Sequence, residues 1–140
     1  MTEEEIRDQL DGIATSEDFA SECEAIVDHW IESSVGLEAV RPVLKFMEEH
    51  GDLDFGLPGS LVRFVEKFYR HGYEEILLES LGEVPTTHTL WMLNRIINGT
   101  KDPATKERYV RILEGIQNTA TSPEVSKEAQ HYHDLHVASQ

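Results

Sequence analysis

The chain has 140 residues, 39% apolar and 28% charged, with a formal net charge of −15 and a single cysteine. That length suits one compact domain, expected to be a single helical domain over residues 1–140, with room for a substantial core. Charge of this sign argues against the counterion-releasing contacts that hold a protein on a phosphate backbone and disfavours an anionic membrane surface, and a lone thiol excludes an internal disulfide framework.

The apolar residues recur in short spaced runs, none near the roughly eighteen consecutive positions needed to cross a bilayer. The opening Met1-Thr2-Glu3-Glu4-Glu5 is the reverse of a basic, then apolar, signal segment, so the expected compartment is the cytoplasm.

In chain order, residues 3–14 read as a short helix with Ile6, Leu10, Ile13 and Ala14 at helical spacing. Thr15 or Ser16 is the expected cap of the next helix, over about 17–33. There Phe19, Cys23, Ile26, Val27, Trp30 and Ile31 fall within one arc, and Asp18, Glu22, Glu24, Asp28 and Glu32 occupy the other side. A third helix over about 37–50 carries Leu37, Val40, Val43 or Leu44, and Met47. Pro42 either kinks this helix or lies in the first turn of one that starts late.

Residues 52–59 are too rich in breakers for a helix. Ser60 is then the expected cap of a helix bearing Leu61, Phe64, Val65 and Phe68 and stopped by Gly72. A partner helix follows at about 73–82. Residues 86–98 carry Leu90, Trp91, Met92, Leu93, Ile96 and Ile97, apolar around more than half the circumference, as a helix touched on several sides would be. Another helix covers about 104–118 around Tyr109, Ile112, Leu113 and Ile116. Ser122-Pro123-Glu124 starts the last one, whose face is Val125, Ala129, Tyr132 and His136. No pair of alternating β-branched runs flanks a hairpin turn. The expected class is all-α, either an irregular helical bundle or a short HEAT-like stack of helical hairpins, with Trp30, Phe64, Leu90, Leu93 and Ile112 in its core.

Catalytic signatures are missing from this pattern. Cys23 lies on an apolar face, where a thiol acts as a small hydrophobe, and His29 is turned away from it. His131, His133 and His136 share the last helix, but 131 and 133 face different ways and no His-Glu-x-x-His pattern occurs, so a solvated histidine surface is expected and no metal. His50 and His71 suit helix ends beside Gly51 and Gly72. An enzymatic site would have to be assembled from distant polar residues such as His88, Asn94 and Arg95. The basic residues Lys101, Lys106, Arg108 and Arg111 are mixed with Asp102, Glu107 and Glu114, an ordinary surface rather than a nucleic-acid patch. No catalytic residue, cofactor or nucleic-acid partner is expected.

The acids are distributed unevenly. Residues 1–57 hold sixteen of the 27, against only Arg7, Arg41 and Lys45. Glu24, Asp28 and Glu32 form a row at i,i+4 spacing, each neighbour repelling the next by roughly 0.2–0.5 kcal/mol. With Asp18 and Glu22 at its edge, this row is the expected partner-binding surface, suited to a basic protein; its bland alternative is a face that only keeps the chain in solution.

The stretches Leu57-Pro58-Gly59-Ser60-Leu61-Val62-Arg63-Phe64-Val65-Glu66 and Pro85-Thr86-Thr87-His88-Thr89-Leu90-Trp91-Met92-Leu93-Asn94-Arg95-Ile96-Ile97-Asn98 resemble the small helical immunity proteins of bacterial polymorphic-toxin and contact-dependent inhibition systems. The resemblance covers approximately residues 55–120. It implies a protein that binds and neutralises one cognate toxin, with Pro58, Gly59, Pro85 and Thr86 as helix-start positions and Trp91, Met92 and Leu93 as core. The acidic N-terminal region has no residue-by-residue counterpart in it. A helical adaptor or scaffold for another cellular partner is the alternative function.

Overall fold

A computed structural model describes residues 1–138 and contains only helices, turns and connectors among them. Eight α-helices follow one another: α1 (Glu3–Asp11), α2 (Phe19–Glu32), α3 (Val40–Glu49), α4 (Ser60–Glu66), α5 (Tyr73–Glu83), α6 (Thr87–Gly99), α7 (Pro103–Thr119) and α8 (Pro123–Ala138). The fold is all-α and irregular. The chain forms two compact units, residues 1–79 and 80–140, the division falling within α5.

In the first unit, α1 begins with a reciprocal cap. Thr2 Oγ1 accepts from the Glu5 N–H at 3.1 Å, and Glu5 returns a carboxylate oxygen to the Thr2 N–H at 3.2 Å. The Glu5 carboxylate, accepting from the Thr2 N–H and also from the Thr2 hydroxyl at 3.0 Å, has its pKa lowered by both bonds, the backbone one most. The helix stops at Asp11, earlier than the apolar spacing through Ala14 predicts, and Ile13 and Ala14 continue only as half-buried turn residues. Neither expected residue caps α2. Asp18 holds the cap position without a side-chain bond, while Ser16 Oγ accepts from the Asp18 N–H at 3.1 Å.

The position of Pro42 is resolved by a 3₁₀ turn over Leu37–Ala39, after which α3 starts at Val40. Pro42 thus falls in the first turn, where its missing N–H has no helical acceptor to lose. Leu37 is 37% exposed, so the buried side of this segment begins at Ala39 and Val40 instead.

Phe19, Phe46 and Phe55 form a mutual cluster with ring centroids 6.0–6.1 Å apart. Trp30 is fully buried, 5.2 Å from Phe64, and its indole N–H donates to Gln9 Oε1 at 2.7 Å. The tryptophan therefore ties α1, α2 and α4 together, with its one polar atom satisfied.

The connector before α4 folds back tightly on itself. A Cβ on Gly59 would lie 1.8 Å from the Phe55 carbonyl oxygen, and Gly56 has φ +81°, so both positions need glycine. Gly59, not Ser60, holds the cap position of α4, with Ser60 the first helical residue. The helix ends at Glu66, five residues before the expected stop. Arg70 adopts φ +65°, and its N–H donates to the Glu74 carboxylate at 2.9–3.0 Å, so the segment 67–72 is a series of turns.

The second unit contains α6, α7 and α8. Thr86 and Thr89 cap α6 reciprocally: Thr86 Oγ1 accepts from the Thr89 N–H at 3.0 Å, and Thr89 Oγ1 from the Thr86 N–H at 3.1 Å. Leu90, Met92, Leu93 and Ile97 are fully buried, whereas Trp91 is only half-buried, with the Arg95 guanidinium 5.2 Å from its ring centre. Asp102 caps α7 through the Thr105 N–H at 3.0 Å, with Pro103 in the first turn. The buried side of α7 is Tyr109, Val110, Leu113 and Ile116. Ile112 is half-buried, a correction to the expected core: the helical face is centred on Leu113, which turns its neighbour toward the boundary. Helices α7 and α8 pack as a hairpin, joined additionally by Ser126 Oγ donating to the Gln117 carbonyl at 2.7 Å. Val125, Ala129, Tyr132 and His136 are all buried, as their spacing predicts.

Candidate functional site: an acidic helix face beside a groove

Helix α2 presents Asp18, Glu22, Glu24, Asp28 and Glu32 outward, all five exposed, while Cys23, Val27 and Trp30 are buried on the opposite side. Ile31 departs from the predicted arc. It is 48% exposed and lies on the same margin of the helix as Asp28.

The three bases within residues 1–57 are engaged elsewhere. Arg7 pairs with Asp11 at 2.9 Å and with Glu49, Arg41 with Glu79 at 3.0 Å, and Lys45 with Glu48 at 3.5 Å. Among the described residues none of the five α2 carboxylates takes part in an ion pair. The row is a concentrated negative field that its own unit does not neutralise by contact.

Alongside it runs a groove of about 330 Å³ between α2 and α4. Ala20, Val27, Ile31 and Phe64 supply its apolar surface. Glu24 and Asp28 line one side, and Arg63 and Lys67 line the other. The Lys67 ammonium lies 5.7 Å from the Phe64 ring centre, a cation–π contact on the groove wall. Periodicity misses these two groove-lining cations, because nothing in the sequence places α4 against α2. Their own i,i+4 spacing beside Phe64 is the only trace.

A second depression, of about 280 Å³, is lined by Phe19, Cys23, Leu53, Phe55 and Leu61 with Glu17 and Asp54 at its margin. Cys23 is 4% exposed, and burial pushes its thiol up to about 11, with Glu22 adding to the rise. At neutral pH it is a thiol and not a thiolate, the wrong form for a nucleophile.

The other polar residues singled out above are placed apart. His88 and Arg95 flank Trp91, with the His88 ring centre 5.4 Å from that of Trp91, whereas Asn94 Oδ1 accepts from His136 Nε2 at 2.7 Å. Arg111 pairs with Glu107 at 2.8 Å, and the Arg108 guanidinium lies 5.9 Å from the Tyr109 ring centre, so the basic run on α7 is internally engaged. No three His, Cys, Asp or Glu side chains gather as metal ligands among the described residues. No described helix is long and apolar enough to cross a membrane.

His136 corrects the expected solvated histidine surface. Of the three histidines on α8, His131 is exposed and His133 half-buried, but His136 is 5% exposed and bonded into the unit. Burial, and secondarily Lys106, holds its pKa below the usual histidine value. The unfolded chain takes this proton near pH 6.5, and the folded chain only at lower pH, so stability falls as pH drops through that window. His136→Gln, which keeps a donor for Asn94, is expected to show a shallower acid-side loss in urea titrations between pH 7 and 5.5. Parallel curves for the two proteins would refute the coupling.

Comparison with known proteins gives no match to a family, to a curated protein or to a solved structure. The fold and site define an acidic, all-helical protein with a charged helix beside an open groove. The family resemblance rests on the quoted sequence stretches alone.

Proposed function

We propose that this protein is an immunity or inhibitor protein that acts by stoichiometric, non-catalytic binding to a cognate toxin in the cytoplasm, the toxin being a basic protein such as a nuclease. The observation that carries this reading is the α2 row itself. Five exposed carboxylates have no ion-pair partner in the described chain, while every base from the same part of the sequence is committed to another acid. Carboxylates held on a fixed helix can occupy a groove made for phosphates, and a pre-formed surface keeps the ordering cost of binding low. The α7–α8 hairpin is the kind of element from which the short HEAT-like stack of some helical immunity proteins is built, and that finer architecture belongs to the same proposal.

The test uses the whole chain as bait in extracts of its native host, wild type beside the triple variant Glu24→Gln, Asp28→Asn, Glu32→Gln. A basic protein is expected with wild type and depleted with the variant, its association slower and its salt dependence flatter. Rim charges act mainly on association, whereas a carboxylate buried against a partner arginine costs about 2–5 kcal/mol when removed. The triple variant itself is expected to be as stable as wild type or slightly more so, because like-charge repulsion along the row is relieved. The captured protein should arrest cells when expressed alone and be tolerated when co-expressed with this chain. A captured partner that is harmless alone would refute toxin neutralisation and leave the adaptor function. Identical capture by both baits would remove the acidic row from the interface.

A further inference from the structure

The groove between α2 and α4 has the spacing of a helix-binding site. Its α2 wall is built from positions 20, 24, 27, 28 and 31, and its other wall from 60, 63 and 64 of α4, with Lys67 just past the helix end and Pro58 and Gly59 just before its start. These are the i, i+3, i+4, i+7 repeats by which one helix presents a continuous strip to another. From Ala20 to Ile31 the strip extends about 16 Å, three turns of helix. Ile31, 48% exposed, and Ala20 are the apolar side chains open to an occupant, while Val27 and Phe64 form a largely covered floor.

We infer that this groove receives an amphipathic helix of the partner protein, with basic residues along the edge over α2 and acidic residues along the edge over α4; this rests on the proposed partner-binding role of the α2 row. Charge complementarity selects that occupant. Glu24 and Asp28 on one rim attract cations, and Arg63 and Lys67 on the other attract carboxylates. A second copy of this chain is disfavoured by the repulsion between two molecules of net charge −15. An extended segment would leave its backbone N–H and C=O groups facing helix walls whose own backbone is already paired, whereas a helix satisfies those groups internally. The opposed rims also fix direction: reversing the helix in the groove would set its basic edge against Arg63 and Lys67.

The experiment uses the full chain and a stapled helical peptide of about fifteen residues, long enough to cover the strip. Its apolar stripe is bordered by Lys on one edge and Glu on the other. Controls carry Glu on both edges or Lys on both. Fluorescence anisotropy at low ionic strength gives affinity, and amide chemical shifts locate the site. The Lys/Glu helix is expected to bind best, with shifts concentrated in residues 20–31 and 58–67. Glu24→Gln with Asp28→Asn is expected to weaken it about tenfold at low salt, from two lost rim pairs. Ile31→Ser, at an exposed position that folding does not depend on, should weaken it by a similar factor. In the double reversal Arg63→Glu, Lys67→Glu the preference should switch to the helix with Lys on both edges, a gain that damage to the fold would not produce.

Equal binding of the Glu-edged helix, or shifts elsewhere in the chain, would overturn the inference. So would concentration-dependent dimerisation abolished by Ile31→Ser, which would make the occupant a second copy. If the stapled helix fails while capture of a basic protein still depends on Glu24, Asp28 and Glu32, the helical occupant falls and the acidic-face reading survives. If the helix binds as expected but no basic toxin is captured, the groove survives and the toxin reading falls.

Discussion

Trp30→Ala is expected to lower the unfolding free energy by about 3–5 kcal/mol, the range for deleting a large aromatic from a packed core. The indole is fully buried, with Phe64 5.2 Å away, and α1, α2 and α4 all meet it. Truncation leaves a void where three helices meet, so collapse from one side cannot fill it without moving a helix. It also strands Gln9, whose side-chain oxygen accepts the indole N–H at 2.7 Å. Trp30→Phe separates the contributions: most of the volume is kept, the hydrogen bond is lost, and the expected cost falls to about 1–3 kcal/mol, that of a lost buried partner. Urea denaturation followed by far-ultraviolet circular dichroism measures both. An alanine variant within about 1 kcal/mol of wild type would mean that this cluster does not hold the first unit together.

The second large effect is at Leu93. Leu93→Ala is expected to cost about 2–5 kcal/mol, since the side chain is fully buried on a helix with Leu90, Met92, Ile96 and Ile97 also buried around it. Trp91→Ala on the same helix is the informative comparison. Trp91 is the larger residue, yet it is half-buried and touches the Arg95 guanidinium at the surface. Its loss removes less area from a protected environment and lets water fill the space, so a smaller cost than that of Leu93→Ala is expected. If Trp91→Ala proves the more damaging, the orientation of α6 within its unit is not the one described.

Periodicity located α2, α6 and α8 closely because their apolar residues repeat over three or more turns, and a helix that buries one face has to repeat that way. Capping chemistry located the beginning of α8 at Ser122-Pro123, whereas the caps Thr86 of α6 and Asp102 of α7 emerge only in the structure. The segregation of Asp18, Glu22, Glu24, Asp28 and Glu32 from Cys23, Val27 and Trp30 was legible for the same reason. Each of these properties is carried by neighbours within a turn or two.

Other features depend on which elements meet, and there local pattern fails. Helix α4 ends at Glu66 because Arg70 turns to a positive φ and its amide is taken by Glu74, not because the apolar pattern stops. Ile31 and Leu37 have helical apolar spacing but stay exposed. His136 lies on the buried face that its spacing predicts, but its hydrogen bond exists only because α8 meets Asn94, forty-two positions earlier in the chain. Arg63 and Lys67 become the opposing wall of the acidic groove only because α4 packs beside α2. The sequence by itself determined the helices, their buried faces and the sign of the charge, all short-range consequences of side-chain spacing along a helix. Tertiary structure alone decided which carboxylates found partners, which apolar residues stayed open and which cations face the acidic row, because those follow from packing between residues far apart in the chain.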